Sequence, residues 1–205
     1  MSKTEGSKSV SVRAPKVARM EVPIIGVGGY IPHRLDEATA RAAQKVDEDG
    51  KSIKGTAPRK ERNLDVEYEA CFYRDRNGDY AIPGSAFKSA LKTAAIAVEG
   101  LDGTTVKRHV RILEEMCKLE YDEVVRREDA VRQGGKTRAP DIRHRPEFLG
   151  WSTKITVQFD MEVMPKQAVL NLLARAGFTV GVGDWRPDKG GDHGTFMIGE
   201  SNVEA

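Results

Sequence analysis

The sequence predicts an α+β fold with an antiparallel sheet and the element order βαββαβ, and three observations carry that expectation. Ile155, Val157, Phe159, Met161 and Val163 alternate with Lys154, Thr156, Gln158, Asp160 and Glu162, the period of a half-buried strand. Phe87, Leu91, Ala94, Ala95 and Val98 recur at intervals of three or four, and so do Val169, Leu172, Leu173 and Ala176 after Pro165. Each helical stripe lies between strand-like runs, so each helix is expected to cross over between strands of one sheet.

Taken in order, residues 1–14 are polar and small and read as a disordered tail. Val17 to Val27 reads as the first strand, closing in Gly26, Gly28 and Gly29. Residues 34–63 hold eight basic and six acidic side chains with few large apolar ones, which predicts a charged, mobile insertion with one short helix around Glu37 to Lys45. Cys71-Phe72-Tyr73 and Tyr80-Ala81-Ile82 flank Asn77-Gly78, a dipeptide suited to a two-residue hairpin turn. Pro83-Gly84 breaks the second run, Ser85 is a candidate N-cap for the first helix, and Gly100 is placed to end it. Val106–Leu113 and Lys118–Val125 read as two strands, and residues 126–149, punctuated by Gly134-Gly135, Pro140 and Pro146, as a basic loop. The alternating strand, a helix from Pro165 to Gly177, a glycine-rich loop and a last strand from Thr195 to Ile198 complete the order. The whole reads as one ferredoxin-like, split-βαβ domain over residues 15–200, with insertions at 34–63 and 126–149 and a tail at 201–205.

The charged fraction of 31% against 39% hydrophobic is consistent with insertions that pack in no core. Net charge is only +2, but residues 126–145 carry seven basic side chains against three acidic, and residues 1–16 four against one. Local basic excess in a nearly neutral chain favours contact with a polyanion. Cys71 and Cys117 form no short paired motif, the N-terminus has no signal-peptide core, and no run is long enough to span a membrane, so a reduced, cytoplasmic protein is expected.

Two stretches carry candidate chemistry. Gly84, Ser85, Lys88 and Lys92 open a helix whose free N–H groups and partial positive charge suit a phosphate; a capped surface helix with solvated lysines explains the same residues. Residues 177–196 hold six glycines with Arg186 and Lys189 between them, allowing close backbone approach to a partner with cations for its phosphates. A flexible surface loop is the plainer alternative, and no dinucleotide or P-loop fingerprint is present. Trp185 in that loop is a candidate for base stacking, whereas Trp151 reads as a core aromatic at a strand start. Arg143 and Arg145 add phosphate contacts from the basic loop, and His144 between them reads as part of a solvated basic stretch.

The run Arg74-Asp75-Arg76-Asn77-Gly78-Asp79-Tyr80-Ala81-Ile82-Pro83-Gly84-Ser85-Ala86-Phe87-Lys88, continuing to Leu91-Lys92, resembles the hairpin and helix start of the RAMP superfamily, in particular the repeating backbone subunits of CRISPR effector complexes. The glycine loop ending in Gly194-Thr195-Phe196 resembles the C-terminal glycine-rich loop of the same proteins, with Thr195 where they commonly carry a basic residue. The resemblance covers under a third of the chain. It implies an RRM-like core, backbone binding of single-stranded RNA, and head-to-tail assembly into a helical filament with possible capping subunits. Ser85 and Lys88 would contact phosphates, and Gly190, Gly191 and Gly194 would let the loop lie against the strand.

The leading expectation is therefore a non-catalytic subunit that binds the backbone of single-stranded nucleic acid, RNA favoured over DNA, and oligomerises along it. Its contacts are Ser85, Lys88, Lys92, Arg143, Arg145, Trp185, Arg186, Lys189, Gly190, Gly191 and Gly194. Alternatives are a stand-alone, phage-encoded relative that coats or anneals single-stranded DNA, and a metal-dependent ribonuclease cutting with Asp36 or Asp65. A purely structural assembly protein is the fourth. The four histidines show no metal-ligand spacing and the cysteines no catalytic signature, so no cofactor, metal site or catalytic residue is assigned.

Overall fold

A computed structural model of the chain describes residues 13–32, 34, 63–132 and 140–199. The insertion helix expected at Glu37–Lys45, Asp36 and both tails lie outside them, apart from Arg13 and Ala14. Over the described residues the fold is α+β, with four helices and antiparallel sheets. β1 (Val17–Gly26) pairs with β7 (Ser152–Asp160) on one side and β8 (Phe196–Ile198) on the other, and β3 (Val110–Ile112) joins the far edge of β7. The spatial order is β3-β7-β1-β8, every pairing antiparallel.

Period-two burial sets the two faces of this sheet. Met20, Val22 and Ile24 on β1 and Ile155, Val157 and Phe159 on β7 point into the core. There they meet the apolar stripes of α2 (Gly84–Ala95) and α4 (Lys166–Thr179), represented by Phe87, Leu91, Val169 and Leu173. Arg19, Glu21 and Ile25, with Lys154 and Met197 on the neighbouring strands, are exposed on the opposite face. α2 leads from β1 to β3 in the chain, and α4 from β7 to β8.

Several local expectations are corrected. The Asn77-Gly78 hairpin forms, but as a wider loop: Arg74 bridges Tyr80, and the Asp75 carboxylate accepts from Asn77 N at 2.8 Å and Asp79 N at 3.0 Å. The second run keeps a bond to the first, Ala81 N to Tyr73 O at 3.0 Å, and as β2 (Ala81–Pro83) it also pairs with β4 (Met116–Lys118). Pro83, not Ser85, occupies the N-cap of α2, with no side-chain cap, and α2 ends at Ala95, five residues before Gly100. The first half of Val106–Leu113 belongs to α3 (Gly103–His109), which Asp102 caps by accepting from Thr105 N at 2.7 Å; only Val110–Ile112 is extended. Lys118–Val125 likewise divides between β4 and the start of β5. The strand expected to reach Val163 stops at Asp160. Gly177 lies inside α4 instead of ending it, where a side chain would meet the backbone and ring of Phe196.

The largest correction concerns residues 126–149. The described residues of this basic stretch form a two-stranded antiparallel ribbon, β5 (Glu123–Arg132) with β6 (Pro140–Leu149), in a register that sets Arg127 opposite Arg145 and Asp129 opposite Arg143, while residues 133–139, with Gly134-Gly135, lie outside the described residues. α1 (Leu64–Ala70), a short helix capped by Asn63, packs against β6.

Candidate functional site

The two motifs singled out by the sequence face each other. The N-terminal half of α2 and the segment Val180–Arg186 enclose a groove of about 520 Å³. Ser85, Ser89 and Thr93 stand four residues apart along α2, so their hydroxyls line one wall, with Ala86 and Ala90 between them. Gly181, Val182, Gly183, Asp184 and Arg186 form the other wall, and Tyr30 and Tyr73 also contribute. Gly181 and Gly183 adopt φ of 70° and 79°, which a side chain would strain. Burial pushes the Tyr30 phenol well above its ordinary range, so that hydroxyl stays protonated.

The loop keeps its shape through backbone bonds: Val182 N donates to Gly194 O at 2.9 Å, Asp184 N to Ile31 O at 2.8 Å, and Gly194 N to Gly29 O at 2.8 Å. Arg186 donates to Gly183 O at 2.9 Å and to Asp188 at 3.1 Å, which leaves its guanidinium at the groove wall. Lys189 is exposed, 3.5 Å from the same carboxylate. Gly190 ends the 3-10 turn Pro187–Lys189 with φ of 80° and borders open space. Gly191 and Gly194 instead press against the Trp185 and Val182 carbonyls, so their smallness serves the packing of the loop on itself.

The expected lysines do not line this groove. Lys88 turns to the far side of α2, where its ammonium donates to the carbonyls of Val106, at 2.6 Å, and Val110. Partial burial, followed by Arg111 and Lys92, lowers its pKa from 10.5 to about 8. Lys92 sits beside Gly103 at the start of α3. Lys88 is thereby a clasp between α2 and the α3–β3 junction.

A pH-dependent contribution follows. Between about pH 8 and pH 10.5 the unfolded chain holds a proton on Lys88 that the folded chain has released, so rising pH favours the folded state in that window. Below about pH 8 both states are protonated and the contribution is constant. A neutral amine still has two N–H groups for the two carbonyls. Urea unfolding of the wild type and Lys88→Met at pH about 7 and about 10 is expected to show the wild type gaining on the variant at the higher pH; a constant difference contradicts the assignment.

Behind the loop lies a buried charge network. Arg127 donates to Glu147 at 2.6 Å, which with its bonds to Asp129 raises its pKa, and Arg145 Nη2 lies 3.0 Å from Asp129 while Nη1 reaches Asp184. His193 lies 3.3 Å from Glu147 and 3.2 Å from Arg127. Trp185, at φ 52°, lays its ring within 5.3 Å of the Arg127 guanidinium and 5.0 Å of that of Arg145. The expectation that Arg145 and Trp185 face a ligand is therefore corrected: Arg145 is 3% exposed, with Nε bonded to Asp129 at 3.2 Å and Nη1 on Asp184, and Trp185 is half-buried on the two arginines. Arg143 is half-buried on the ribbon. His144 is not solvated but buried, accepting from Arg126 Nε at 3.3 Å.

Trp151 is a core residue whose indole donates to Gly28 O at 2.7 Å. Asp65 is exposed at the start of α1 and bound to Arg126 at 2.7 Å. Both cysteines are buried free thiols, no three described residues form a metal-binding group, and no described helix is long and apolar enough to cross a membrane. Ser89, Thr93 and Asp184 were missed as site residues, although the four-residue spacing from Ser85 was a usable signal for the first two. No protein-family model matches this sequence, and no curated protein matches it.

Proposed function

We propose that the chain is a non-catalytic, cytoplasmic subunit of RAMP type that holds single-stranded nucleic acid, RNA ahead of DNA, in the groove between α2 and Val180–Arg186, and that copies assemble head-to-tail along the strand. The observation that carries the reading is the meeting of the two resembling motifs, nearly a hundred residues apart in the chain, as opposite walls of one groove. The sheet order β3-β7-β1-β8, with α2 and α4 in the crossovers, supports a ferredoxin-like core. Gly84 N is bonded to Glu115 O at 2.9 Å, but the partial positive charge of the α2 N-terminus, the Ser85 hydroxyl and Arg186 suit the strand's phosphates. Assembly is supported by a second groove of about 830 Å³ between the α2–α3 connection and α4, beside the exposed Phe178.

The test is fluorescence anisotropy of a labelled single-stranded oligonucleotide as salt rises from about 50 to about 200 mM. Release of counterions from a few neutralised phosphates weakens binding about tenfold over that range. Arg186→Ala is expected to flatten the slope, whereas Lys88→Met leaves it unchanged because that ammonium is already engaged. Salt-independent binding, or none, overturns the proposal.

A further inference from the structure

Asp184 places a carboxylate in a groove whose other polar lining is hydroxyls, backbone and one guanidinium, set among Pro83, Ala86, Ala90, Val180 and Val182. It is fixed from two sides: its backbone N–H donates to Ile31 O at 2.8 Å, and Oδ2 receives the buried Arg145, itself anchored on Asp129. Its side chain is 32% exposed, and Oδ1 accepts no hydrogen bond among the described residues. A carboxylate repels phosphate and can bind a strand only by accepting from the strand's neutral donors. A nucleic-acid strand offers two kinds, base N–H groups and the ribose 2′-hydroxyl. Only the second is present at every nucleotide of RNA, and DNA lacks it. The neighbouring Ser85, Ser89 and Thr93 hydroxyls, which both donate and accept, complete a surface suited to a sugar edge.

Resting on the reading of this groove as the strand site, we infer that Asp184 accepts a hydrogen bond from a ribose 2′-hydroxyl and thereby selects RNA over DNA. Arg145 holds the carboxylate in place, and Asp184 is the specificity-determining residue. A hydrogen bond to a charged group contributes about tenfold or more in affinity.

The test uses the full-length protein and three oligouridylates of one length: the ribose form, the 2′-deoxy form with uracil retained, and the 2′-fluoro form, which keeps the RNA-like sugar pucker without the donor. Base identity is constant and guanine is absent, so base-edge reading by the carboxylate contributes no difference. The ribose form is expected to bind about tenfold tighter than both others. Asp184→Ala, checked for folding by thermal melting, is expected to bring the three affinities together. Ribose and 2′-fluoro strands of equal affinity for the wild type overturn the inference even if the variant does not fold, while leaving the groove intact as a strand site. An Asp184→Ala protein that folds and keeps the full RNA preference also overturns it. No binding of any of the three overturns the underlying reading and this inference with it.

Discussion

Arg145→Ala is expected to destabilise the protein by about 3 kcal/mol, the usual scale for removing one partner of a buried ion pair. Arg145 is 3% exposed and serves two carboxylates at once, Asp129 on the ribbon and Asp184 on the loop. Without it Asp129, itself 5% exposed, keeps Arg127 alone among the described residues, and Asp184 loses the ion pair to Arg145. Trp185 also loses one of its two cationic faces. Because this cation joins the ribbon to the groove wall, the variant is expected to loosen Asp184–Trp185 before it unfolds globally, visible as a change in tryptophan fluorescence at low urea. Lys154→Ala is the control. Its pair with Glu21 is 63% and 58% exposed, so water already screens it, and the change is expected to stay under about 1 kcal/mol. Equal urea midpoint shifts for the two variants contradict the network described here.

Gly194→Ala carries the second large effect. Gly194 holds φ 64°, where an L side chain is strained, and a methyl there would overlap the Val182 carbonyl. That carbonyl has no room to retreat, since Val182 N is bonded to Gly194 O and Gly194 N to Gly29 O. The substitution is expected to break this double clasp, cost several kcal/mol and displace the Val180–Arg186 wall, so that affinity for single strands falls together with thermal stability. Gly190→Ala isolates the conformational part: φ is 80° but nothing lies within 4 Å of the added methyl, so about 1 kcal/mol is expected with binding retained. Loss of binding in Gly190→Ala with Gly194→Ala unaffected would reverse the roles assigned to these glycines.

The contrast between legible and illegible elements is physical. β1, α2, β7, α4 and β8 bury one apolar face each, so their hydropathy alternates at the period of the element and their order could be read directly. The ribbon β5–β6 instead buries charge: Arg127 and Asp129 on one strand meet Arg145 and Glu147 on the other. A scan for apolar periodicity takes such a stretch for a solvated basic loop, and only the cross-strand partners turn its charges inward. α1 buries none of its residues and α3 only Val106, too little for a periodic signal.

The site divides in the same way. Ser85 and Arg186 were recognisable because the helix start and the glycine loop announce themselves locally. The direction taken by Lys88 was not legible, since the carbonyls that hold it belong to α3 and β3, some twenty residues on in the chain. The burial of Arg145 and Trp185 depends on the ribbon folding onto the loop, a contact between segments forty residues apart. Asp184 was overlooked because a carboxylate in a phosphate-binding loop runs against charge logic, until its partner Arg145 and the hydroxyl-lined wall opposite are both in view.

The most direct test of the groove as a strand site is photocross-linking of a 5-bromouridine-substituted single strand to the full-length protein, with adducts located by mass spectrometry. The account expects them on Tyr73, on the Ser85–Thr93 face of α2 and on Val180–Arg186. Adducts confined to the open sheet face, around Arg19, Lys154 and Met197, would contradict it.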